Sequence, residues 1–446
     1  MEPRSALTDK PADIATVTND GGVGSGAWFG TGWFRKLGPG LITGAADDDP
    51  SGIATYSQAG AQFGYGLVWT LLLTYPLMTA IQIISARIGR VSGRGLATNM
   101  RRHTPPWLLY SIVFLLLIAN TINIGADIAA MGDAVRLLAG GQPHWYALGF
   151  GVLSVLLQVL VPYQRYVNII KWLTLALLAY VATVLVVKVP WGTVAMAAVL
   201  PDFSWHREYL TTIVAIFGAT ISPYLFFWQA SQEVEDLRAD PQATALKEAP
   251  GQVVGHYRRI RLDTLVGMGF SNLVAIAIML TTAVTLHAHG ILSVDSSAAA
   301  ASALKPIAGE FAFLLFTLGI VGTGLLAIPV LAGSAAYATA GTFRWKNSLE
   351  LQFSAARKFY AIIIASTLVG VGLCFLPIDP MRALYWSAVI NGVIAVPVMA
   401  VMMVLAARPA VMGDLPIPRG LKLLGWLCTV LMGVAVLAML ATAEVS

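Results

Sequence analysis

Between Leu37 and Gly66 the chain reads GPGLITGAADDDPSGIATYSQAGAQFGYG from Gly38 onward. This is an apolar run of membrane-spanning length with Asp47, Asp48 and Asp49 at its centre. A charged side chain at the middle of a bilayer costs at least about 2.5 kcal/mol, so three in succession cannot face lipid. Pro50 has no N–H and its ring collides with the preceding turn, and Gly52 loosens the backbone further. An uninterrupted helix cannot pass this point. The expectation is two half-helices joined by an unwound acidic segment, which survives at membrane depth only where it lines a cavity.

The rest of the chain supplies the membrane setting. Of 446 residues, 57% are hydrophobic and only 11% charged, against roughly 25% charged in a soluble domain. The net charge of +5 is spread over short loops between apolar runs, which argues against a nucleic-acid partner. Cys374 and Cys428 each sit in an apolar run, with neither metal-ligand spacing nor a disulfide framework, and read as packing or lipid-facing residues. Residues 1–35 form a polar tail without the apolar core of a signal peptide. It is expected to be disordered and cytoplasmic, with Trp28, Phe29, Trp33 and Phe34 at the membrane surface. The Gly-rich GVGSG within it lacks the strand, helix and Lys of a phosphate loop. No nucleotide and no cofactor is implied.

Runs of about 20 apolar residues are long enough to cross a membrane. They fall near 37–64, 65–88, 107–137, 145–162, 165–189, 208–235, 261–288, 308–340, 357–377, 381–406 and 420–442, eleven in all. With the N-terminus inside, 23 of the 28 Lys and Arg residues lie on the cytoplasmic side. Arg136, Lys188, Arg207, Lys305 and Arg382 lie outside. That bias sets the orientation and leaves the C-terminus outside. The location expected is the cell's inner membrane.

A second interruption falls in the sixth span, REYLTTIVAIFGATISPYLFFWQASQEVEDL, where Gly218, Ser222 and Pro223 stand near its midpoint. Spans one and six are the first members of two five-helix units, about 37–189 and 207–406, followed by an extra helix at 420–442. The second unit starts from the opposite side, so the repeats are inverted. Paired broken helices at matching positions point to a transporter's central site; a plain proline kink in each is the alternative.

The first of these stretches resembles the first helix of the Nramp divalent-metal transporters, which carries an Asp-Pro-Gly-Asn motif. GATISPYLFF, Gly218 to Phe227, resembles that family's sixth helix, with its Ala-Thr-Val-Met-Pro-His. The resemblance implies an all-α LeuT-type fold and a metal site between the two unwound segments. Asp49 and Pro50 keep half of the first motif, but Gly52 stands where the family has a metal-binding Asn. Ser222 replaces the Met ligand, Tyr224 the His after the proline, and Gln229 a second His. Ala219, whose carbonyl is a ligand in the family, is kept. This pattern is similar to that of the Nramp-related magnesium transporters.

The substitutions have a direct physical meaning. A Met thioether is soft and favours transition metals, whereas the groups left behind are hard oxygens: Asp49, backbone carbonyls, the Ser222 hydroxyl, Tyr224 and Asp48. Gly52 and Ser222 are also smaller than Asn and Met, so the pocket should be wider. Such a pocket suits Mg²⁺, which sheds its water reluctantly, with Mn²⁺ as a competitor.

In span three, Asn120, Asn123, Asp127 and Met131 share one helix face. Asp127 matches a family Asp associated with proton passage, but Ala130 stands where the family has Glu. Loose or absent proton coupling is therefore expected. Asn391 in span ten is a candidate for the outer vestibule, and Thr55 and Gln58 for a path along the inner half of the break. Glu233, Glu235 and Asp236 are expected to be solvated or paired with Arg258, Arg259 and Arg261. His287 and His289 are placed in an outer loop. The reading is a divalent-cation transporter rather than an enzyme, with a proton-coupled Mn²⁺/Fe²⁺ symporter as runner-up. An amino-acid carrier on the same fold is disfavoured, since three aspartates would repel a substrate carboxylate.

Overall fold

The computed structural model describes residues 43–44, 46–161, 172–240 and 243–443. The N-terminal tail, most of the first half of span one, and Arg165 and Lys171 lie outside the described residues. The principal helices are α1 (Pro50–Phe63), α2 (Val68–Ser92), α3 (Leu96–His103), α4 (Pro106–Ala139), α5 (Pro143–Leu160), α6 (Leu178–Val186) and α7 (Trp191–Val199). They continue as α8 (Arg207–Thr220), α9 (Pro223–Ala239), α10 (Val253–Thr285), α11 (Ala312–Phe343), α12 (Arg357–Leu373), α13 (Pro380–Ala406) and α14 (Arg419–Ala443).

Among the described residues eight spans are long and apolar enough to cross a membrane, or nine if one bent pair counts as a span. The expected spans missing from the eight fail for local reasons. Span one is cut at Asp49, and span nine is a 17-residue helix, Arg357–Leu373. Span five, expected to run straight to 189, instead bends by 110° between Leu175–Val186 and Trp191–Val199. Pro190 marks the corner: it cannot donate to the turn before it, and α7 occupies what had read as an outer loop.

The core is built around the two interrupted helices. α1 packs on α10, α13 and α8, while α9 packs on α2 and α11. α8 and α13 approach backbone to backbone. A Cβ on Gly218 would run into the Ala388 carbonyl and the Gly392 backbone, and one on Gly392 would stand 2.7 Å from the Val214 carbonyl. Close helix approach of this kind is a property of small residues in membrane bundles.

The basic loops gather at one end. There Arg101 donates to the Gly341 carbonyl at 2.8 Å, Arg90 meets His256 at 3.0 Å, and Arg238 reaches the Asn347 carbonyl at 2.9 Å. Both cysteines are buried packing residues, Cys374 against the Gly125 carbonyl and Cys428 against Met399.

Candidate metal site between two broken helices

Each break begins with a proline that removes a backbone donor. In an unbroken helix the N–H of residue 50 would bond the carbonyl of Ala46, and that of residue 223 the carbonyl of Ala219. Pro50 and Pro223 leave both carbonyls without that partner. Asp49 is extended (φ −68°, ψ 169°) and caps α1, its Oδ1 accepting from the Gly52 N–H at 2.9 Å and from Ser51 Oγ at 2.5 Å. A carboxylate cap also meets the positive end of the helix dipole. Ser222 is extended as well (φ −75°, ψ 128°), but its hydroxyl turns back, donating to the Gly218 carbonyl at 2.7 Å with Ala219 O at 3.3 Å.

Tyr224 ties the two breaks together. Its hydroxyl lies 3.2 Å from the freed Ala46 carbonyl and 3.4 Å from Asp49 Oδ2. Asn123 from α4 donates to the same Oδ2 at 3.0 Å, and Ser387 from α13 donates to Asn123 Oδ1 at 2.6 Å, fixing the orientation of the amide. Asp49 is thus held by donors from two elements besides its own, with α13 behind one of them, and stays buried among them.

Asp47 and Asp48 face elsewhere. Ser271 of α10 stands 2.8 Å from Asp47 Oδ2 and 3.0 Å from Asp48 Oδ1, and its single proton serves only one of them at a time. Among the described residues no three His, Cys, Asp or Glu side chains gather as a metal site. What the breaks bring together is the Asp49 carboxylate with carbonyl and hydroxyl oxygens.

The polar face of α4 divides by role. Asn120 donates to the Leu331 carbonyl and to Ser334 Oγ, both at 2.8 Å, and holds α11. Asn123 joins Asp49. Asp127, one turn further on, is buried with neither carboxylate oxygen hydrogen-bonded, and Met131 packs where Gly324 leaves room. Gln229 Oε1 accepts from Thr43, leaving its Nε2 unpartnered. Asn391 is buried with neither amide atom partnered, one turn beyond Ser387. Ser51, Ser271 and Ser387 went unremarked in the sequence; the signal available for Ser387 was its i, i−4 spacing from Asn391.

A cavity of about 420 Å³ opens at the end opposite the basic loops, between Ala54 and Gln58 of α1, Arg207 and Glu208 of α8, and Arg382 and Tyr385 of α13. Gln58 belongs to this cavity and not to the inner half of the break, because α1 runs from Asp49 away from the basic end. Its Oε1 accepts from the Val294 N–H at 2.8 Å, holding the loop after α10 against α1. His287 is docked on the Ala61 carbonyl at 2.8 Å, and Arg382 pairs with Asp295 at 3.0 Å.

At the basic end the acidic side chains of α9 are engaged. Glu235 accepts from Tyr337 at 3.1 Å and from Ser348 at 2.6 Å, and Arg259 binds Glu233 and Asp236. These carboxylates are buried or partnered rather than solvated.

Comparison with known proteins agrees with this architecture. The family model described as natural resistance-associated macrophage protein-like (Nramp) matches residues 40–442. A divalent metal cation transporter, MntH, of Acidiphilium cryptum is 28% identical over 401 residues, 87% of each chain. Its namesake in Deinococcus radiodurans is 26% identical, covering 89% of this chain and 87% of the other. Among solved structures, the Eremococcus coleocola manganese transporter superposes with a TM-score of 0.67 at 18% identity, covering 93% of this chain and 88% of that one. Mhp1, a nucleobase-cation-symport-1 family transporter, gives 0.54 at 14% identity, with 92% and 93% covered. The fold is the all-α LeuT type, and the chain belongs to the Nramp family.

Proposed function

We propose that this protein carries a divalent metal cation across the membrane by alternating access, taking Mg²⁺ ahead of Mn²⁺ and without tight proton coupling. The observation that carries the reading is the donor set at the two breaks. It offers one carboxylate, Asp49, with the Ala219 carbonyl, the Ser222 hydroxyl and Tyr224 beside it, and no thioether or imidazole. Hard oxygens of this kind suit Mg²⁺ and admit Mn²⁺. The wider pocket expected at Gly52 is not there, since Tyr56 lies against it; Asp48 shares the Ser271 hydroxyl with Asp47. The transported ion is a substrate, not a resident cofactor.

In this reading residues 37–189 and 207–406 are the inverted repeats and 420–442 is an added helix. The basic end is cytoplasmic with the N-terminus, the C-terminus is outside, and the membrane is the inner one. The ion enters from the 420 Å³ cavity while the Glu235–Tyr337–Ser348 contacts hold the cytoplasmic side closed. Release requires those contacts to part, together with Arg259 and Glu233. Asn391 and Gln229, each buried with an unpartnered amide nitrogen, are further polar groups available to a moving hydrated ion.

The deciding experiment is Mg²⁺ and Mn²⁺ flux into proteoliposomes, with and without a proton gradient, wild type beside Asp49→Ala. Entry of Cd²⁺ or Fe²⁺ with none of Mg²⁺ would overturn the selectivity, and lumen acidification in step with metal entry would overturn the uncoupled mechanism. One observation favours a proton-coupled Mn²⁺ carrier instead. The Asp127 carboxylate, buried and unpartnered one turn from Asn123, is positioned to hold a proton that leaves when a cation reaches Asp49.

A further inference from the structure

We propose that the groove between α2, α10 and the start of α14 binds an anionic phospholipid, with its phosphate on Arg87 and Arg261 and an acyl chain along the groove. Arg87 is only 8% exposed, yet its Nε and Nη1 have no hydrogen-bond partner. One face of the guanidinium lies over the Tyr257 ring, 4.0 Å from its centroid, and Nε and Nη1 are buried beside it without a partner, so the charge is stacked but its donors are unsatisfied. Arg261 lines the same groove. Neither arginine has a carboxylate partner among the described residues.

The neighbouring cations are engaged. Arg90 is on His256, and Arg259, on the other side of α10 from Arg261, takes Glu233 and Asp236. Two guanidiniums therefore share one groove with no counter-charge, at the end of the bundle where the basic loops lie. A buried unpaired charge is costly, and an anion from outside the chain removes that cost.

The shape of the groove selects the kind of anion. Its volume is about 360 Å³, and beneath the arginines the lining is Pro76, Ile83, Leu265, Leu421 and Leu424, closed by Tyr75, whose hydroxyl donates to the Leu265 carbonyl at 3.2 Å. A free phosphate would satisfy the arginines and leave this apolar floor uncovered. A phospholipid satisfies both, and basic pockets between membrane helices are known to hold anionic headgroups.

The test is thermal unfolding of the full-length protein in detergent with added phosphatidylglycerol, phosphatidylcholine or inorganic phosphate. Phosphatidylglycerol should raise the wild-type midpoint, while the other two leave it unchanged. Arg87→Gln and Arg261→Gln should each weaken the phosphatidylglycerol response about fivefold, the equivalent of ~1 kcal/mol per basic residue at a membrane surface. Leu424→Trp, which fills the floor with both arginines intact, should remove it. If Arg87→Gln fails to fold, Arg261→Gln and Leu424→Trp still decide the matter. An equal shift with phosphatidylcholine, a full shift with phosphate alone, or a wild-type response in Arg261→Gln and Leu424→Trp would overturn the proposal.

Discussion

The two breaks use one backbone device and arrive at different chemistry. At each, a proline withholds an N–H and frees the carbonyl four residues earlier, Ala46 in one case and Ala219 in the other. At the first break the chain supplies a carboxylate as the cap, and Ser51, Gly52, Asn123 and Tyr224 all donate to it. At the second it supplies a neutral hydroxyl, which folds back on Gly218. One break presents a carboxylate already held in place; the other presents carbonyls and a hydroxyl. Under the proposed function the first would govern whether a cation binds, and the second which cation.

That division can be broken at its charged side first. Asp49→Ala should reduce Mg²⁺ and Mn²⁺ uptake to the level of empty vesicles while the protein still folds, because the other cluster members are neutral. Asn123→Ala comes next: it removes the donor that orients Asp49, and loss of a partner behind a metal ligand costs roughly tenfold or more in affinity. Ser387→Ala should follow the same direction more weakly, read by metal titration calorimetry.

On the second break, Ser222→Met should move selectivity without abolishing uptake. Cd²⁺ should gain on Mg²⁺ in competition flux, because a thioether is a soft donor; unchanged selectivity would sink the account of ligand hardness. The companion change Gly52→Asn should be less well tolerated, since a Cβ there stands 3.2 Å from the Tyr56 ring. Tyr224→Phe removes a single long hydrogen bond between the breaks and should cost about threefold to tenfold in affinity, in keeping with ~0.5–1.5 kcal/mol.

The smallest effect is expected at the mouth of the cavity. The Ser293 hydroxyl, and then Arg382, hold the Asp295 carboxyl below the usual carboxylate range. Its contribution is present above the unfolded value, near 4, and is lost only as pH falls through the lower folded value. Between pH 6 and 8 this latch stays charged. Asp295→Asn should change flux by less than about 1 kcal/mol equivalent, with the same pH profile as wild type. A pH-dependent flux in that window would therefore not come from this latch.

Much of this was legible in the residues themselves. Three aspartates beside a proline in an apolar run dictate a break wherever they occur, because neither lipid nor a helix accepts them. Ser222–Pro223 at repeat spacing locates the second break for the same reason. The shared face of Asn120, Asn123 and Asp127 was also written in the helical spacing, and all three are buried. The sequence did not reveal the bend at Pro190, since an apolar segment on both sides of a proline reads equally well as one span or two. Nor could it sort the aspartates, because neighbouring side chains at an unwound turn point in directions set by their surroundings. Ser271 draws Asp47 and Asp48 toward α10, whereas Asn123 and Tyr224 draw Asp49 toward the second break. The chain alone determined that charge must stand at the centre of this bundle; only the packing of α4, α9, α10 and α13 decided which carboxylate faces the gap, because hydrogen-bond donors distant in sequence choose among groups adjacent in it.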